Sequence, residues 1–157
     1  EQALENRSVG TGLFVPPGDS ILLVNRFGQR FVNEHRNYND RSRSHSIFDS
    51  NRVESPNEFQ FMVYDQRVVE TFGEENGQPL IKPAESHVIS GLTMSDLDEN
   101  IFARVNKLAL RLGGCELDAS FIRNLESTVQ RFNQYAMEGR DPDLGRGDLP
   151  YDNAWQQ

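Results

Sequence analysis

The chain has 157 residues, the size of one ordinary domain with a single hydrophobic core. Its net charge of −8 repels nucleic-acid phosphates and anionic membrane surfaces, so neither is expected as a partner. Cys115 is the only cysteine, which excludes an intrachain disulfide and a cysteine-based zinc site and favours the cytoplasm. The three histidines lack the spacing of helical metal ligands, and no apolar run approaches the roughly 18 residues of a membrane span. We therefore expect no metal and no membrane span.

The first third of the chain predicts a hairpin followed by a polar loop. Residues 1–19 are punctuated by glycine and proline without periodicity, which predicts an irregular lead-in. A short strand is predicted over residues 20–25. Gly28 stands where a tight turn requires a positive φ, so residues 30–33 are predicted to return as the partner strand. The polar stretch from 34 to 50 predicts a loop that leads into a partly exposed helix.

The middle of the chain predicts two further strands. Residues 59–65 form a nearly continuous apolar and aromatic run, which is typical of a buried strand. A short helix is predicted to follow and to end near Phe72. Residues 87–91, rich in β-branched side chains, are the second strand candidate.

Two long amphipathic helices are predicted in the second half. Ser95 with Asp98 three residues later predicts the start of the first, and the glycines at 113 and 114 predict its end. Asp118 is predicted to cap the second, which ends at Gly139. Apolar residues recur at helical spacing, at positions 97, 101, 105, 108 and 112 in the first helix and at 121, 125, 129, 132 and 136 in the second.

These elements predict an α+β fold. The short link between the two long helices favours an antiparallel pair, whose apolar faces are expected to cover a small antiparallel or mixed sheet. The division along the chain is then a lead-in over residues 1–19, a folded domain over 20–139 and an extended exit segment over 140–157. There are no internal repeats.

One block of the sequence reverses the sign of the overall charge. Residues 26–43 carry five arginines against two acids, a local charge of about +3. Guanidinium groups match carboxylates and phosphates because their planar fork donates two parallel hydrogen bonds. The block therefore indicates either an anion-binding edge or a solvated arginine face. An anion-binding edge alone would favour a stand-alone protein-interaction module that docks an acidic partner.

The sequence lacks a phosphate-binding loop for a dinucleotide. Gly10-Thr11-Gly12 has neither the third glycine nor a preceding strand, and no other stretch supplies such a loop. A pyrophosphate needs a glycine turn that opens a helix N-terminus. No cofactor-binding residues are therefore predicted in this chain.

Several motifs resemble one enzyme family. Residues 24–34 resemble the V-N-x-x-G-x-R-F-x-N-E hairpin in the capping domain of the fumarate reductase/succinate dehydrogenase flavoprotein family, which includes ketosteroid dehydrogenases. Residues 37–40 resemble the N-Y-N-D of other members. Residues 61–67 resemble a hydrophobic strand of that family that ends in F/Y-D-Q-R. Residues 128–147 are similar to T-V-x-R-F-N-x-Y-A-x-x-G-x-D-x-D-F-x-R-G, with which the cap of that family ends.

The resemblance implies a capping domain of an FAD-dependent oxidoreductase that transfers hydride between a small-molecule substrate and flavin. In that family the cap closes over the flavin ring, excludes water and supplies side chains to the substrate. The implied partner is the FAD-binding domain of the same parent chain, which would hold the FAD. This part of the enzyme alone is expected to be colourless and inactive.

The resemblance also implies where the substrate contacts lie. Fumarate reductases carry N-E-x-x-x-R-D here, whereas this chain has Tyr38-Asn39-Asp40 with Arg41 after the aspartate. The catalytic candidates are Arg41, as anion contact or proton donor, and Tyr38, as hydrogen-bond partner. The candidate substrate-binding residues are Asn33, Glu34, Asn39 and Asp40. Tyrosine and asparagine in place of the arginine favour a carbonyl compound or a steroid-like enone over fumarate or succinate.

Overall fold

A computed structural model describes residues 18–72, 81–83, 85, 87–110 and 116–154. The chain divides into two compact units rather than the single core predicted from its length. One unit consists of residues 12–65 and 118–157, and the other is centred on residues 66–117. Residues 1–17 of the predicted lead-in lie outside the described residues, and so does Cys115.

The first unit contains a two-stranded antiparallel ribbon. Strand β1 (Ile21–Asn25) pairs with β2 (Gln60–Tyr64), with Ile21 opposite Tyr64 and Asn25 opposite Gln60. All five residues of β1 are buried, whereas those of β2 are half-buried. The predicted hairpin partner at residues 30–33 is wrong, since that segment makes only one isolated bridge, between Val24 and Arg30. The apolar run of β2 competes successfully for β1 because it offers larger side chains to bury.

The turn after β1 is a docking point for the longest helix. Gly28 has φ +73°, as predicted, and a Cβ atom there would lie 2.2 Å from the carbonyl oxygen of Phe121. The Oγ1 of Thr128 donates to the carbonyl of Gly28 at 2.9 Å, and the Nδ2 of Asn124 donates to that of Phe27 at 2.9 Å. Only glycine allows the turn and the helix to approach so closely.

That helix, α4 (Phe121–Glu138), carries much of the unit's core. Phe121 and Leu125 are fully buried, and each contributes about 1.5–3 kcal/mol through burial. The Phe121 ring lies 5.3 Å from that of Phe61 on β2. The helix ends as predicted at Gly139, which has φ +67°. Its cap is Ser120 rather than Asp118, whose Oδ1 accepts from the Ser120 backbone at 2.8 Å.

A short helix and a 3₁₀ turn follow β1 at the place where a partly exposed helix is predicted. Helix α1 (Tyr38–Ser42) runs directly into the 3₁₀ turn Arg43–Ser46. Buried asparagines fix the turn to the ribbon, because Asn25 donates to Asn57 at 3.2 Å and Asn57 donates to the Ser44 carbonyl at 3.1 Å. Buried amides of this kind are stable only when they are hydrogen-bonded.

The segment after α4 is not the extended exit predicted from its composition. Gly145 and Gly147 have φ +67° and +89°, and the chain ends its described part in helix α5 (Pro150–Ala154). Asp141, Arg146 and Asp152 in this segment are buried. Polar residues of the predicted exit segment therefore have partners inside the unit. The role of the segment as a connection to another domain stays a prediction.

The second unit contains helices α2 (Gln66–Phe72) and α3 (Met94–Leu108), near the predicted positions. The cap of α3 is Thr93 rather than Ser95, because Thr93 and Asp96 bond each other's backbone N–H groups at 3.1 and 3.2 Å. Its buried residues follow the predicted stripe and include Ile101, Val105 and Leu108. Reciprocal capping of this kind fixes where a helix begins.

The strand predicted at residues 87–91 is wrong. The backbone of Val88 donates to the carbonyl of Glu85 at 3.0 Å, which makes a turn. A Cβ atom on Gly91 would lie 2.3 Å from the backbone nitrogen of Leu97, so this segment packs closely on the first turn of α3. The chain is thus α+β, with a small antiparallel sheet and several helices. The antiparallel packing of α3 with α4 stays a prediction, since the two belong to different units.

Candidate functional site

Glu34 is the centre of a buried cluster of charged side chains. Arg30 donates to both its oxygens, from Nε to Oε1 at 2.9 Å and from Nη2 to Oε2 at 2.7 Å. The Nη1 of Arg146 lies 3.3 Å from Oε2, and the backbone N–H of Leu23 donates to Oε1 at 3.1 Å. The Glu34 side chain has no exposed surface. Its carboxylate is therefore committed to the protein and is not open to a substrate.

Asp141 and Phe132 complete this arginine–carboxylate cluster. The Nη2 of Arg30 lies 2.9 Å from Oδ2 of Asp141, and the guanidinium carbons of Arg30 and Arg146 each lie 5.0 Å from the centre of the Phe132 ring. Burial opposes ionisation of Asp141, but the hydrogen bond and charge of Arg30 outweigh it and lower the pKa of Asp141. Burial also disfavours the charge of Arg30, yet Glu34 and Asp141 raise its pKa above the ordinary value.

Arg146 ties the segment before β1 to the segment after α4. Its guanidinium donates to the carbonyls of Ile21, Asp19 and Gly18 at 2.6, 3.1 and 3.3 Å. Asn33 adds a second connection, because its Nδ2 donates to the Gly145 carbonyl at 3.2 Å and to Oδ2 of Asp152 at 3.1 Å. Asn33, predicted as a substrate contact, is therefore placed in the interior as well.

His35 lies beside the cluster and is buried. Its Nε2 is 3.4 Å from the carbonyl oxygen of Gly18. Burial, reinforced by the positive charge of Arg146, lowers the pKa of His35 below its ordinary value. The ring is thus neutral around pH 7 and serves the packing of this region.

Helix α1 has exposed residues at its start and a buried arginine at position 41. The Asn37 side chain caps it by accepting from the backbone of Asn39 at 2.9 Å. Tyr38 is 64% exposed, and Asn39 and Asp40 are also exposed. A tyrosine this open, at the start of a capped helix, can donate a hydrogen bond to a ligand. Three of the predicted site residues are thus exposed, whereas Asn33 and Glu34 are buried.

Arg41 is buried, and part of its guanidinium has no hydrogen-bond partner among the described residues. Only 6% of the residue is exposed, and within the described part of the chain its Nε and Nη1 have no acceptor. Burial lowers the pKa of Arg41, and the negative charge of Glu34 opposes that shift. Such atoms are rare in folded proteins and call for an explanation. Arg41 is the candidate residue that retains unused hydrogen-bonding capacity.

The arginine-rich block 26–43 does not form a continuous solvated edge. Arg41 is buried and the Arg30 side chain is only 6% exposed. The Nη2 of Arg26 lies 3.4 Å from Oε2 of Glu54. Arg36 lies 3.9 Å from Asp152, and Arg43 is exposed. The excess charge of this block is largely balanced by acids from other parts of the chain, which disfavours both an open anion-binding edge and a merely solvated face.

Three members of the cluster were not recognised in the sequence as site residues. Arg30 belongs to the arginine-rich block, Arg146 falls on a family motif, and Asp141 lies in the predicted extended exit segment. The only signal for their role is that Arg30, Asp141 and Arg146 all fall on residues of the family motifs quoted above. Their contacts span more than 100 positions, beyond the reach of local pattern analysis.

The described residues offer no site for a metal or for a pyrophosphate. Among them, no group of three or more His, Cys, Asp or Glu side chains could hold a metal ion. Residues 18–72 and 87–154, as far as they are described, contain no glycine turn that joins a strand to the N-terminus of a long helix. No helix within the described ranges is both long and apolar enough to cross a membrane.

The chain is related to part of two dehydrogenases. It is 33% identical over 152 residues to 4-oxocyclohexanecarboxylate 2-dehydrogenase of Sinomonas cyclohexanicum, covering 96% of this chain and 23% of that protein. It is 29% identical over 141 residues to 3-oxosteroid 1-dehydrogenase of Mycobacterium tuberculosis, covering 85% of this chain and 22% of that protein. No family model matches the chain. The sequence thus corresponds to less than a quarter of the length of these relatives, and the expected relationship to dehydrogenases is confirmed.

Proposed function

We propose that this chain is the substrate-covering domain of an FAD-dependent dehydrogenase that acts on cyclic ketones. The names of the relatives support the substrate class, because a 4-oxocyclohexanecarboxylate and a 3-oxosteroid are both ring ketones. The family motifs in residues 24–41 and 128–147 support the capping role. The match to less than a quarter of each relative supports a parent chain with further domains.

The observation that carries this proposal is that α1, with its exposed tyrosine, begins four residues after Glu34 of the arginine–carboxylate cluster. Tyr38 is exposed at its start and Arg41 lies one turn later with unused N–H groups. Glu34, only four residues before Tyr38, is locked by Arg30 and Arg146. The locked Glu34 supports a fixed backbone position for the residues that lead into α1, as a substrate-binding group requires.

Tyr38 and Asn39 are proposed to bind the ketone oxygen. Dehydrogenation beside a ketone breaks two neighbouring C–H bonds. The carbon next to the ketone loses a proton to a base in another part of the parent chain, the next carbon gives a hydride to the acceptor, and a C=C bond forms between them. A hydrogen bond from the Tyr38 phenol stabilises the negative charge that develops on the ketone oxygen as the proton leaves. Arg41 supplies a positive charge to the same region, and Asp40 lines its edge.

The hydride acceptor in this proposal is FAD held by another part of the parent chain. The described residues contain no cradle for its pyrophosphate, so they contribute to substrate binding, orientation and exclusion of water alone.

The test is an absorbance spectrum of the full-length parent, expressed from its own reading frame and kept free of oxygen. Addition of 4-oxocyclohexanecarboxylate or a 3-oxosteroid should bleach the flavin bands. A parent without flavin, or a flavin that no ring ketone reduces, would overturn the proposal. Replacement of Arg41 with Ala should lower turnover at least about tenfold, because a charge-assisted contact is worth that much in the transition state.

A further inference from the structure

One buried carboxylate lies at both ends of the turn that leads into α1. Residues 33–36 form this turn. The backbone N–H of Arg36 donates to the carbonyl of Asn33 at 3.1 Å, and that of His35 donates to the Asn33 side chain at 2.9 Å. At the start of the turn, Asn33 donates to Oδ2 of Asp152 at 3.1 Å. At its end, the Nε of Arg36 lies 3.9 Å from Oδ1 of the same carboxylate.

The two oxygens of Asp152 differ in their partners. The residue belongs to α5 and has no exposed surface. Its Oδ2 accepts from Asn33 and also from the backbone N–H of Gly147 at 3.3 Å. Its Oδ1 has no hydrogen bond among the residues that the structure describes, because Arg36 stops beyond hydrogen-bonding distance. A buried carboxylate oxygen without a donor is costly, so the charge of Arg36 is what Oδ1 depends on.

The turn determines how α1 begins. Asn37, directly after the turn, caps the helix, and its carbonyl accepts from the backbone N–H groups of residues 40 and 41 at 3.0 Å. Tyr38 is the first residue of the helix, two positions after Arg36. A helix of five residues is not stable by itself, so its direction depends on the contacts that fix the preceding turn.

Helix α5 approaches α1 at a second point. Burial lowers the pKa of Arg41, and the negative charges of Glu34 and of ionised Tyr151 oppose that shift. An interaction of this kind requires the Tyr151 phenol to lie near the Arg41 guanidinium. Tyr151 directly precedes Asp152 in α5. Helix α5 therefore lies beside α1 as well as beside the turn.

We infer that Asp152 is a positioning residue that orients the Tyr38 phenol through the turn 33–36. This inference rests on the proposed function, since Tyr38 is the proposed donor to the ketone oxygen. Asp152 is fully buried and acts without touching the substrate. A misdirected donor stabilises the transition state less while the other substrate contacts remain. Loss of the Asp152 charge should therefore act on kcat more than on KM.

The kinetic test compares the full-length parent with its variant Asp152→Asn, on 4-oxocyclohexanecarboxylate or a 3-oxosteroid, whichever bleaches the flavin. The new amide oxygen can still accept from Asn33 and Gly147, but the amide NH2 group then faces Arg36, donor against donor. The kcat should fall about tenfold or more with little change in KM. Asp148→Asn, at an exposed aspartate of the same segment, is the matched control and should leave kcat unchanged.

The same change in a Tyr38→Phe background shows whether Asp152 acts through Tyr38. If it does, Asp152→Asn costs nothing further there, because the phenol that it orients is gone. The same fold loss in both backgrounds would overturn the inference and leave the proposed dehydrogenase intact, and so would an unchanged kcat in Asp152→Asn. Arg36→Met serves if Asp152→Asn does not fold, because 37% of the Arg36 side chain is exposed. It should lower kcat only where Tyr38 is present.

Amide hydrogen exchange in the full-length parent tests the positioning without any turnover. Asp152→Asn should speed exchange of the α1 N–H groups at residues 40 and 41 about tenfold or more, while the interior of α4 exchanges as before. Unaltered exchange in α1, or equal acceleration in both helices, would overturn the inference whether or not a ring ketone is oxidised. Faster exchange in α1 alone, in a parent that oxidises no ring ketone, would overturn the proposed function and support the positioning of α1 by Asp152.

Discussion

The Nη1 of Arg146 lies 3.3 Å from Oε2 of Glu34, a contact that joins residues 112 positions apart. It places the segment after α4 against the segment between β1 and α1, the part of the chain that leads to Tyr38. The same carboxylate holds Arg30, so two arginines converge on one buried acid. The orientation of α1 depends on this acid more than on its own five residues, because so short a helix is unstable alone.

Replacement of Glu34 with Gln should destabilise the chain by about 3–5 kcal/mol, because it leaves two buried arginines without their shared anion. Urea unfolding followed by circular dichroism measures the change. Glu54→Gln is the control. Glu54 also faces two arginines, at 3.4 and 3.6 Å, but the three side chains of these pairs are partly exposed. It should cost less than about 1 kcal/mol. Similar losses in both variants would show that Glu34 is not the anchor of the cluster.

Replacement of Gly28 with Ala should destabilise the chain for two reasons. The left-handed backbone costs about 1–2 kcal/mol, and the added Cβ would lie 2.2 Å from the Phe121 carbonyl, which forces α4 away from the turn. Gly139→Ala separates the two effects, because Gly139 has φ +67° but nothing within 4 Å of a Cβ atom. Thermal unfolding should show a larger loss for Gly28→Ala. Equal losses would mean that the close approach of turn and helix adds nothing.

Stability should fall with pH below the ordinary His35 pKa of 6.5. Burial lowers the pKa of His35 in the folded chain, so below pH 6.5 the unfolded chain binds a proton that the folded chain does not. The free energy of unfolding is then constant above this pH and decreases by up to about 1.4 kcal/mol per pH unit below it.

Urea unfolding measures this pH dependence of stability. The range is about pH 5 to 8, in which histidine titrates. His35→Gln should flatten the profile, whereas His45→Gln, at an exposed position, should retain it. A profile of the unmodified chain that rises toward acid pH would contradict the expected sign.

Replacement of Tyr38 with Phe should lower the turnover of the full-length parent at least about tenfold on ring ketones, because it removes the proposed donor to the ketone oxygen. The melting temperature should stay the same, since Tyr38 is 64% exposed. Tyr135→Phe is a suitable control, because that phenol donates to Oδ1 of Asp143 at the surface of α4. Steady-state kinetics with both variants decides the matter, and unchanged turnover in Tyr38→Phe would remove this residue from the site.

The local features of the fold were predictable, and the long-range ones were not. Gly139 and the Phe121 and Leu125 stripe mark α4 in the sequence, because helix ends and helix faces depend on neighbouring residues. The partner of β1 lies much further along the chain, since Leu22 pairs with Val63, 41 positions later, and no local signal selects it over the nearer residues 30–33. A single bridge at Arg30 was all that remained of the predicted hairpin.

The same difference between local and long-range features applies to the candidate site. Tyr38, Asn39 and Asp40 lie at the surface. The resemblance predicts them as ligand contacts, and that role stays a prediction. Asn33 and Glu34 lie in the interior, where they contact Asp152 and Arg146 of the segment predicted as an extended exit. Charged residues far apart in sequence give no sign of their pairing until the fold brings them together.

The contacts of Arg146 with the carbonyls of Gly18 and Asp19 have a consequence for how such a unit is built into a larger protein. The segment before β1 and the segment after α4 are therefore hydrogen-bonded to each other. A unit whose incoming and outgoing strands of chain are adjacent can be inserted into a single loop of a host domain with little disturbance to either fold.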